Sequence, residues 1–112
     1  MVKNVNEFYR LSPGVRSRSI SFENPSGAKG RGGLASSPLG AGRKGSPARE
    51  IPAGATLEFA NIDGPGVIRH IWLATYDIPD TMRALVIRAY WDGQAHPGIE
   101  APLGDFFGFA HG

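Results

Sequence analysis

In the second half of the chain, apolar side chains fill both alternating faces of two long runs. Residues 67–76 (VIRHIWLATY) and 84–91 (ALVIRAYW) are rich in β-branched and aromatic residues, which favour strands. A strand that is apolar on both faces is typical of one sandwiched between two layers. Shorter segments at 56–61 and 97–102 complete four predicted strands, which together indicate an all-β sandwich or barrel.

Turn residues separate these runs. Gly64-Pro65-Gly66 precedes the first long run and Asp92-Gly93 closes the second, and such stretches favour tight turns. The connection at 78–81 has room for one helical turn. Residues 103–109 (LGDFFGF) are predicted to form a loop or the beginning of a helix.

The first half has a weaker pattern. Asn4 is a candidate N-cap for a short helix that ends at Pro13. Between 23 and 54, twelve of 32 residues are Gly or Pro, which excludes a regular helix or a central strand. We therefore predict an N-terminal helix and extended segment over 1–22, a Gly/Pro-rich loop over 23–54 and a β-strand region over 55–112. A loop of this length is usually functional or disordered.

Size and composition limit the class of protein. The chain has 112 residues, 41% hydrophobic and 20% charged, which indicates one globular domain at most. No apolar run approaches the ~18 residues of a membrane helix, and no signal-peptide pattern opens the chain. We therefore expect a soluble cytoplasmic protein without membrane contact. The absence of cysteine excludes a disulfide framework and thiolate metal sites.

Charge is distributed unevenly along the chain. Residues 1–50 carry nine Lys or Arg against three acidic residues, a balance of +6, whereas residues 51–112 carry three Arg against seven acidic residues, a balance of −4. A basic half is compatible with nucleic-acid binding, but no aromatic residue interleaves the basic ones between Lys29 and Arg49. Stacking on bases therefore has little support. The alternative is attraction between the two halves or to a neighbouring subunit.

Two features of the sequence could suggest a cofactor or a metal site, and neither supports one. Residues 40–45 match G-x-G-x-x-G, but serine and proline flank them on both sides, whereas a dinucleotide site needs a strand before the motif and a helix after it. The three histidines, His70, His96 and His111, show none of the close pairing of a structural metal site. We predict neither a cofactor nor a metal.

Carboxylates and aromatic rings in loops are more informative. A glycosidase usually needs two carboxyl groups, and Glu23 and Asp105 stand in polar loop contexts. Asp63 and Asp92 adjoin glycines and are explained as turn residues. Large rings in strands are usually core residues, so the rings beside Asp105 are better candidates for stacking on a sugar.

Four blocks of the sequence carry a family resemblance: RSISFENPSGAKGRGG, GRKGSPARE, DGPGVIRHIWLATY and LVIRAYWDGQAHPGIEAPLGDFFGFAHG. In order and from Arg16 onward, they resemble the N-terminal part of the DUF2961 proteins. These form glycoside hydrolase family 172, which includes difructose-dianhydride synthase/hydrolases and arabinofuran-degrading enzymes. The resemblance implies the front part of a double jelly roll, hence a partial β-sandwich, in a trimer or hexamer. The implied chemistry is retaining cleavage or transfer at fructofuranosides or arabinofuranosides.

The resemblance also implies a substrate site. Ser21, Glu23 and Asn24 in one block, and Asp105, Phe106 and Phe107 in another, match blocks that would line a sugar pocket. The two catalytic glutamates of the family belong to a later part than the GDFFG block. We therefore assign no catalytic residue and expect this chain to be an N-terminal fragment that is inactive alone.

Other interpretations stay open. Ser21 and Asn24 can order the loop through local side-chain-to-backbone hydrogen bonds, and Phe107 can fill the core. The whole chain can be a non-catalytic jelly-roll module for carbohydrate binding or assembly. A basic-armed nucleic-acid binder is the third and least favoured interpretation.

Overall fold

The computed structural model describes most of the chain, and the helix predicted after Asn4 lies outside the described part. The described residues are 10, 12–33, 40, 45–76 and 78–109. The chain divides into two compact units, Met1–Pro65 and Gly66–Gly112. The regular elements of the described part all belong to the second unit: α1 (Ile78–Ala84), β1 (Val86–Ala89), β2 (Ile99–Pro102) and α2 (Leu103–Phe106).

Strands β1 and β2 form a two-stranded antiparallel sheet. Their register places Val86 opposite Pro102 and Ala89 opposite Ile99. The ladder extends by one residue before β2, because the Gly98 N–H donates to the Ala89 carbonyl at 2.8 Å. Both strands lie inside the predicted segments 84–91 and 97–102, so these two strand predictions are confirmed, with shorter bounds.

The turn predicted at Asp92-Gly93 is confirmed. The Gln94 N–H donates to the Trp91 carbonyl at 3.2 Å, and the two residues between them have φ angles of 56° and 67°. Two positive φ values in the centre of a four-residue turn are typical of type I′, whose twist matches that of the flanking strands. A Cβ atom added at Gly98 would overlap the indole ring of Trp91, so glycine at 98 leaves room for that ring.

The helices flank the sheet in sequence. Helix α1 has seven residues and is therefore longer than the single turn predicted for 78–81. Asp80 in its first turn and Arg83 in its last have the signs that suit a helix dipole. Helix α2 begins directly after β2, and its Leu103 N–H donates to the Leu85 carbonyl at 2.8 Å. None of the helices in the described part is long and apolar enough to cross a membrane.

Two predicted strands are not formed. Residues 56–61 and 67–76 have no regular secondary structure, and the prediction that 67–76 is covered on both faces is wrong for this structure. Trp72 is 75% exposed and Tyr76 is 88% exposed. A strand needs a neighbour that pairs with its backbone, and the described residues supply none for these segments.

The core of the described residues is small. Ile87 in β1 and Leu103 in α2 are its buried apolar side chains, at 7% and 5% exposure. Val86, which was predicted to be buried with the rest of its run, faces solvent instead. Among the described residues, one antiparallel pair of strands and two short helices are formed, which agrees loosely with a mostly-β fold, and a jelly roll is not confirmed. The division at 22 and 54 stays a prediction.

Candidate functional site

A tight turn contains Ser21, Glu23 and Asn24, and the side chains of Ser21 and Asn24 stabilise it. The backbones of Ser21 and Asn24 exchange two hydrogen bonds, at 3.2 and 3.0 Å. Ser21 Oγ accepts from the N–H groups of Glu23 and Asn24, both at 3.2 Å. Asn24 Nδ2 donates to the Ala28 carbonyl at 3.1 Å. Ser21 and Asn24 thus order the loop through local bonds, the role that the sequence left open beside sugar binding.

The Glu23 carboxylate joins the start of the Gly/Pro-rich loop to residues 45 and 46 in its second half. Its Oε1 accepts from the backbone N–H groups of Gly45 at 2.7 Å and Ser46 at 3.2 Å, and the contact is partly buried. Two consecutive N–H groups form a small anion-binding concavity, and hydrogen bonds to a charged acceptor are stronger than neutral ones. Glu23 therefore binds backbone 22 and 23 residues further along the chain.

Arg49 reinforces the same junction. Its Nη1 donates to Ser46 Oγ and, at 3.1 Å, to the Ala48 carbonyl. Its guanidinium carbon lies 5.3 Å from the centroid of the Phe22 ring, which is within the range of a cation–π interaction. We call Phe22, Glu23, Gly45, Ser46 and Arg49 the loop clasp.

In the second unit, residues 104–109 form what we call the GDFFGF turn. The Phe109 N–H donates to the Gly104 carbonyl at 2.8 Å, and the Gly108 N–H donates to the Asp105 carbonyl at 3.2 Å. Gly108 has a φ of 77°. These are the paired bonds and the left-handed residue of a Schellman motif, which ends a helix and satisfies its last carbonyls. The backbone alone thus fixes this turn.

The aromatic rings of the GDFFGF turn differ in exposure. Phe106 and Phe107 meet edge to face, with centroids 5.0 Å apart and an interplanar angle of 86°. Phe106 is half-buried, whereas Phe107 is exposed. The predicted alternative that Phe107 fills the core does not hold in this structure. An exposed ring held by a half-buried neighbour is suited to stacking on an apolar ligand face.

The GDFFGF turn packs tightly against α1. A Cβ atom added at Gly104 would lie 3.1 Å from Met82 Cβ and 3.3 Å from the Met82 carbonyl oxygen, so glycine permits this approach. Arg83 follows Met82, and Asp105 follows Gly104. These two residues form an ion pair in which Arg83 Nη1 lies 2.5 Å from Asp105 Oδ1. The side chains are 68% and 47% exposed respectively. The sequence did not identify Arg83 as a site residue. A position in the last turn of a helix does not indicate that the side chain pairs with Asp105.

A second ion pair in the same unit lies on the sheet. Arg88 Nε is 2.5 Å from Glu100 Oε2, and the two residues are direct partners in the register of β1 and β2. The hydrogen bond that Arg88 donates to the Glu100 carboxylate, and after it the negative charge of Glu100, raise the pKa of Arg88. This pair follows from strand pairing itself, since opposite charges are favourable at facing positions.

The six predicted site residues thus fall into two groups in separate units. Ser21, Glu23 and Asn24 belong to the first unit, and Asp105, Phe106 and Phe107 belong to the second. Searched over the described residues, no three histidine, aspartate or glutamate side chains are grouped so that they could hold a metal ion.

The family model described as GH172 domain-like matches residues 44–112, which is more than half of the chain. The chain therefore belongs to the GH172 domain-like family, and it is related to glycoside hydrolases. The comparisons with curated proteins and with solved structures give no match.

The matched range separates the two groups of site residues. Asp105, Phe106 and Phe107 lie inside it, whereas Ser21, Glu23 and Asn24 precede it. Within the loop clasp, the matched range includes Gly45, Ser46 and Arg49, whereas Phe22 and Glu23 precede it. The GDFFGF turn is therefore the stronger candidate for a site that is shared with the family.

Proposed function

We propose that this chain is the carbohydrate-binding part of a glycoside hydrolase that acts on furanosides, either fructofuranosides or arabinofuranosides. The observation that carries the proposal is the family match over the residues that contain the GDFFGF turn. The exposed Asp105 carboxylate and the exposed Phe107 ring in that turn supply the chemistry that sugar binding requires.

Sugars offer hydroxyl groups and an apolar C–H face. An ionised carboxylate has two oxygens and about four acceptor positions, so Asp105 can accept from sugar hydroxyls while Oδ1 also accepts from Arg83. The Phe107 ring, held edge to face against Phe106, would cover the C–H face. Phe106 would then act by orienting Phe107.

Ser21, Glu23 and Asn24 would contribute to substrate binding by ordering the loop of the first unit that carries them. Ser21 Oγ and Asn24 Nδ2 are bonded to local backbone, and Glu23 Oε1 is bonded to Gly45 and Ser46. Their role in binding would therefore follow from the loop conformation that they maintain. Because an ordered loop loses less conformational entropy when it binds a ligand, this is a contribution to affinity.

Catalysis is not assigned to these residues. A retaining glycosidase needs a carboxylate nucleophile and a carboxyl acid roughly 5–5.5 Å apart. Three carboxylates of the described part already have partners: Glu23 binds backbone N–H groups, Glu100 binds Arg88 and Asp105 binds Arg83. Because the resemblance also implies that the two catalytic glutamates of the family come after the GDFFG block, we propose that the chain binds furanosides without cleaving them, and that the reacting glutamates are supplied by a further segment of a double jelly roll.

Binding and turnover can be measured on the purified chain. Saturation-transfer NMR with methyl α-D-arabinofuranoside and methyl β-D-fructofuranoside should give signals from the ring protons, and methyl α-D-glucopyranoside should give none. Incubation with difructose dianhydride should release no free fructose. Equal signals from the pyranoside, or none from either furanoside, would contradict the proposed binding, and released fructose would contradict the absence of catalysis.

Assembly is a second candidate function, favoured by the apolar side chains between 67 and 76. Five large side chains of this segment are exposed: Val67, Ile68, Trp72, Leu73 and Tyr76. Contiguous exposed apolar surface often marks an interaction site. Copies of the chain that cover this segment would give the trimer or hexamer expected from the resemblance. Light scattering should then show an oligomer that Trp72→Ser with Tyr76→Ser dissociates, whereas a monomeric wild-type chain would exclude this function.

A further inference from the structure

Arg83 makes an ion pair that the fold does not require. In contrast to Arg88 and Glu100, which face each other in the strand register, Arg83 and Asp105 belong to two different helices. Those helices are already held together by the close approach of Met82 to Gly104, and Leu85, the residue after α1, accepts a hydrogen bond from the Leu103 N–H. An ion pair between two exposed side chains adds little stability.

We propose that Arg83 is the positioning residue of the furanoside site and that it works with Asp105 as one recognition unit. The inference rests on the proposed function, because it takes Asp105 to be the sugar-binding carboxylate. Arg83 Nη1 donates to Asp105 Oδ1 at 2.5 Å. This bond fixes one oxygen of the carboxylate and thereby the direction in which the other oxygen accepts.

The guanidinium can also contact the ligand directly. It has five N–H donors in a rigid planar fork, and one nitrogen is engaged with Asp105. Arg83 is 68% exposed, so its remaining donors reach solvent. A furanoside hydroxyl both donates and accepts a hydrogen bond. Adjacent hydroxyls therefore fit a surface on which a carboxylate acceptor and a guanidinium donor lie side by side.

The chain contains a matched control for this idea. Arg88 and Glu100 form an ion pair of the same 2.5 Å length in the same unit, with both side chains likewise exposed. Arg88→Met removes a guanidinium and an ion pair just as Arg83→Met does. The two substitutions differ in that only Arg83 lies beside the GDFFGF turn.

The experiment titrates the wild-type chain and five variants with whichever methyl furanoside gives the stronger saturation-transfer signal. Arg83→Met should weaken binding about tenfold, and Arg83→Lys should weaken it about threefold because an ammonium keeps the charge but lacks the fork. Arg88→Met should change affinity less than about twofold, as is usual for a group remote from the ligand. Asp105→Asn combined with Arg83→Met should bind no more weakly than Asp105→Asn alone, because coupled residues are not additive.

Each result is decisive when circular dichroism and thermal unfolding are recorded for the same samples. If Asp105→Asn loses binding while Arg83→Met keeps it, the proposed function stands and the inference about Arg83 is wrong. If Arg83→Met and Arg88→Met weaken binding equally and in proportion to a loss of folded signal, Arg83 has a structural role only and the inference is again wrong. If the wild-type chain binds neither furanoside, the proposed function fails and takes the inference with it.

Discussion

In the loop clasp, side-chain groups hold the backbone in place, whereas in the GDFFGF turn the backbone holds itself. Glu23 Oε1 is bound to Gly45 and Ser46, so a group that could have met a ligand is used within the chain. In the GDFFGF turn, the bonds from Phe109 to Gly104 and from Gly108 to Asp105 join backbone atoms.

This difference decides which side chains remain for a ligand. In such a turn, the backbone N–H and C=O groups form hydrogen bonds with one another. Its side chains can therefore be exposed while its backbone polar groups stay paired. Asp105 and Phe107 are exposed on such a turn. Polar residues that cluster in a glycine-rich loop therefore do not by themselves indicate a binding site, because the loop itself can need their hydrogen bonds.

The largest expected effect is that of Glu23→Ala on the loop clasp. The substitution removes the charged acceptor from two N–H groups, so we expect the local free energy of opening at Gly45 and Ser46 to fall by about 2 kcal/mol. Amide hydrogen exchange at these two residues measures it. Glu50→Ala is the control, since Glu50 is exposed and its removal should leave both exchange rates unchanged. Unchanged exchange in Glu23→Ala would mean that the clasp does not hold the loop.

Gly108→Ala tests the GDFFGF turn, whose conformation the backbone maintains. Gly108 has a φ of 77°, and a residue with a Cβ atom in that region costs about 1 kcal/mol. Urea unfolding should show this loss, together with faster exchange of the Phe109 N–H. Gly66→Ala serves as the control, because Gly66 lies in the same unit with open space around its Cα and without a positive φ. Equal stability of the two variants would argue against the Schellman motif.

The smallest expected effect on stability is that of Asp105→Asn. It weakens an ion pair between exposed groups, and such pairs contribute about 0.5 kcal/mol. The backbone bonds of the GDFFGF turn remain, so the Phe109 N–H should keep its protection from exchange while furanoside binding is weakened. A large loss of that protection would show that the carboxylate, like Glu23 in the clasp, is needed to hold its own turn.

Local signals in the sequence predicted part of this fold. The Asp92-Gly93 turn follows from residues that tolerate positive φ, and the strands on either side of it are close in sequence, so their pairing needs no distant partner. The run at 67–76 has equally strong β propensity, yet it does not form a strand. A high β propensity means that these residues fit a sheet that other elements cover. Propensity alone supplies no such cover, so a strand here would need another surface packed against it.

The candidate site was predictable to a similar extent. The GDFFG block was identified through its resemblance to a family, and the family match over 44–112 confirms that relation. The sequence could not indicate that Glu23 would bind backbone more than twenty residues away, because such a contact depends on how the loop closes. For the same reason it could not pair Arg83 with Asp105, which are also 22 residues apart.

The two tryptophans of the chain have a practical consequence for optical experiments. The Trp91 ring lies over Gly98 in the hairpin, whereas Trp72 is 75% exposed in the uncovered apolar run. Water around an indole shifts its fluorescence emission to longer wavelengths. With Trp91→Phe as the background, the emission of Trp72 alone would report when another surface covers residues 67–76, without any added label.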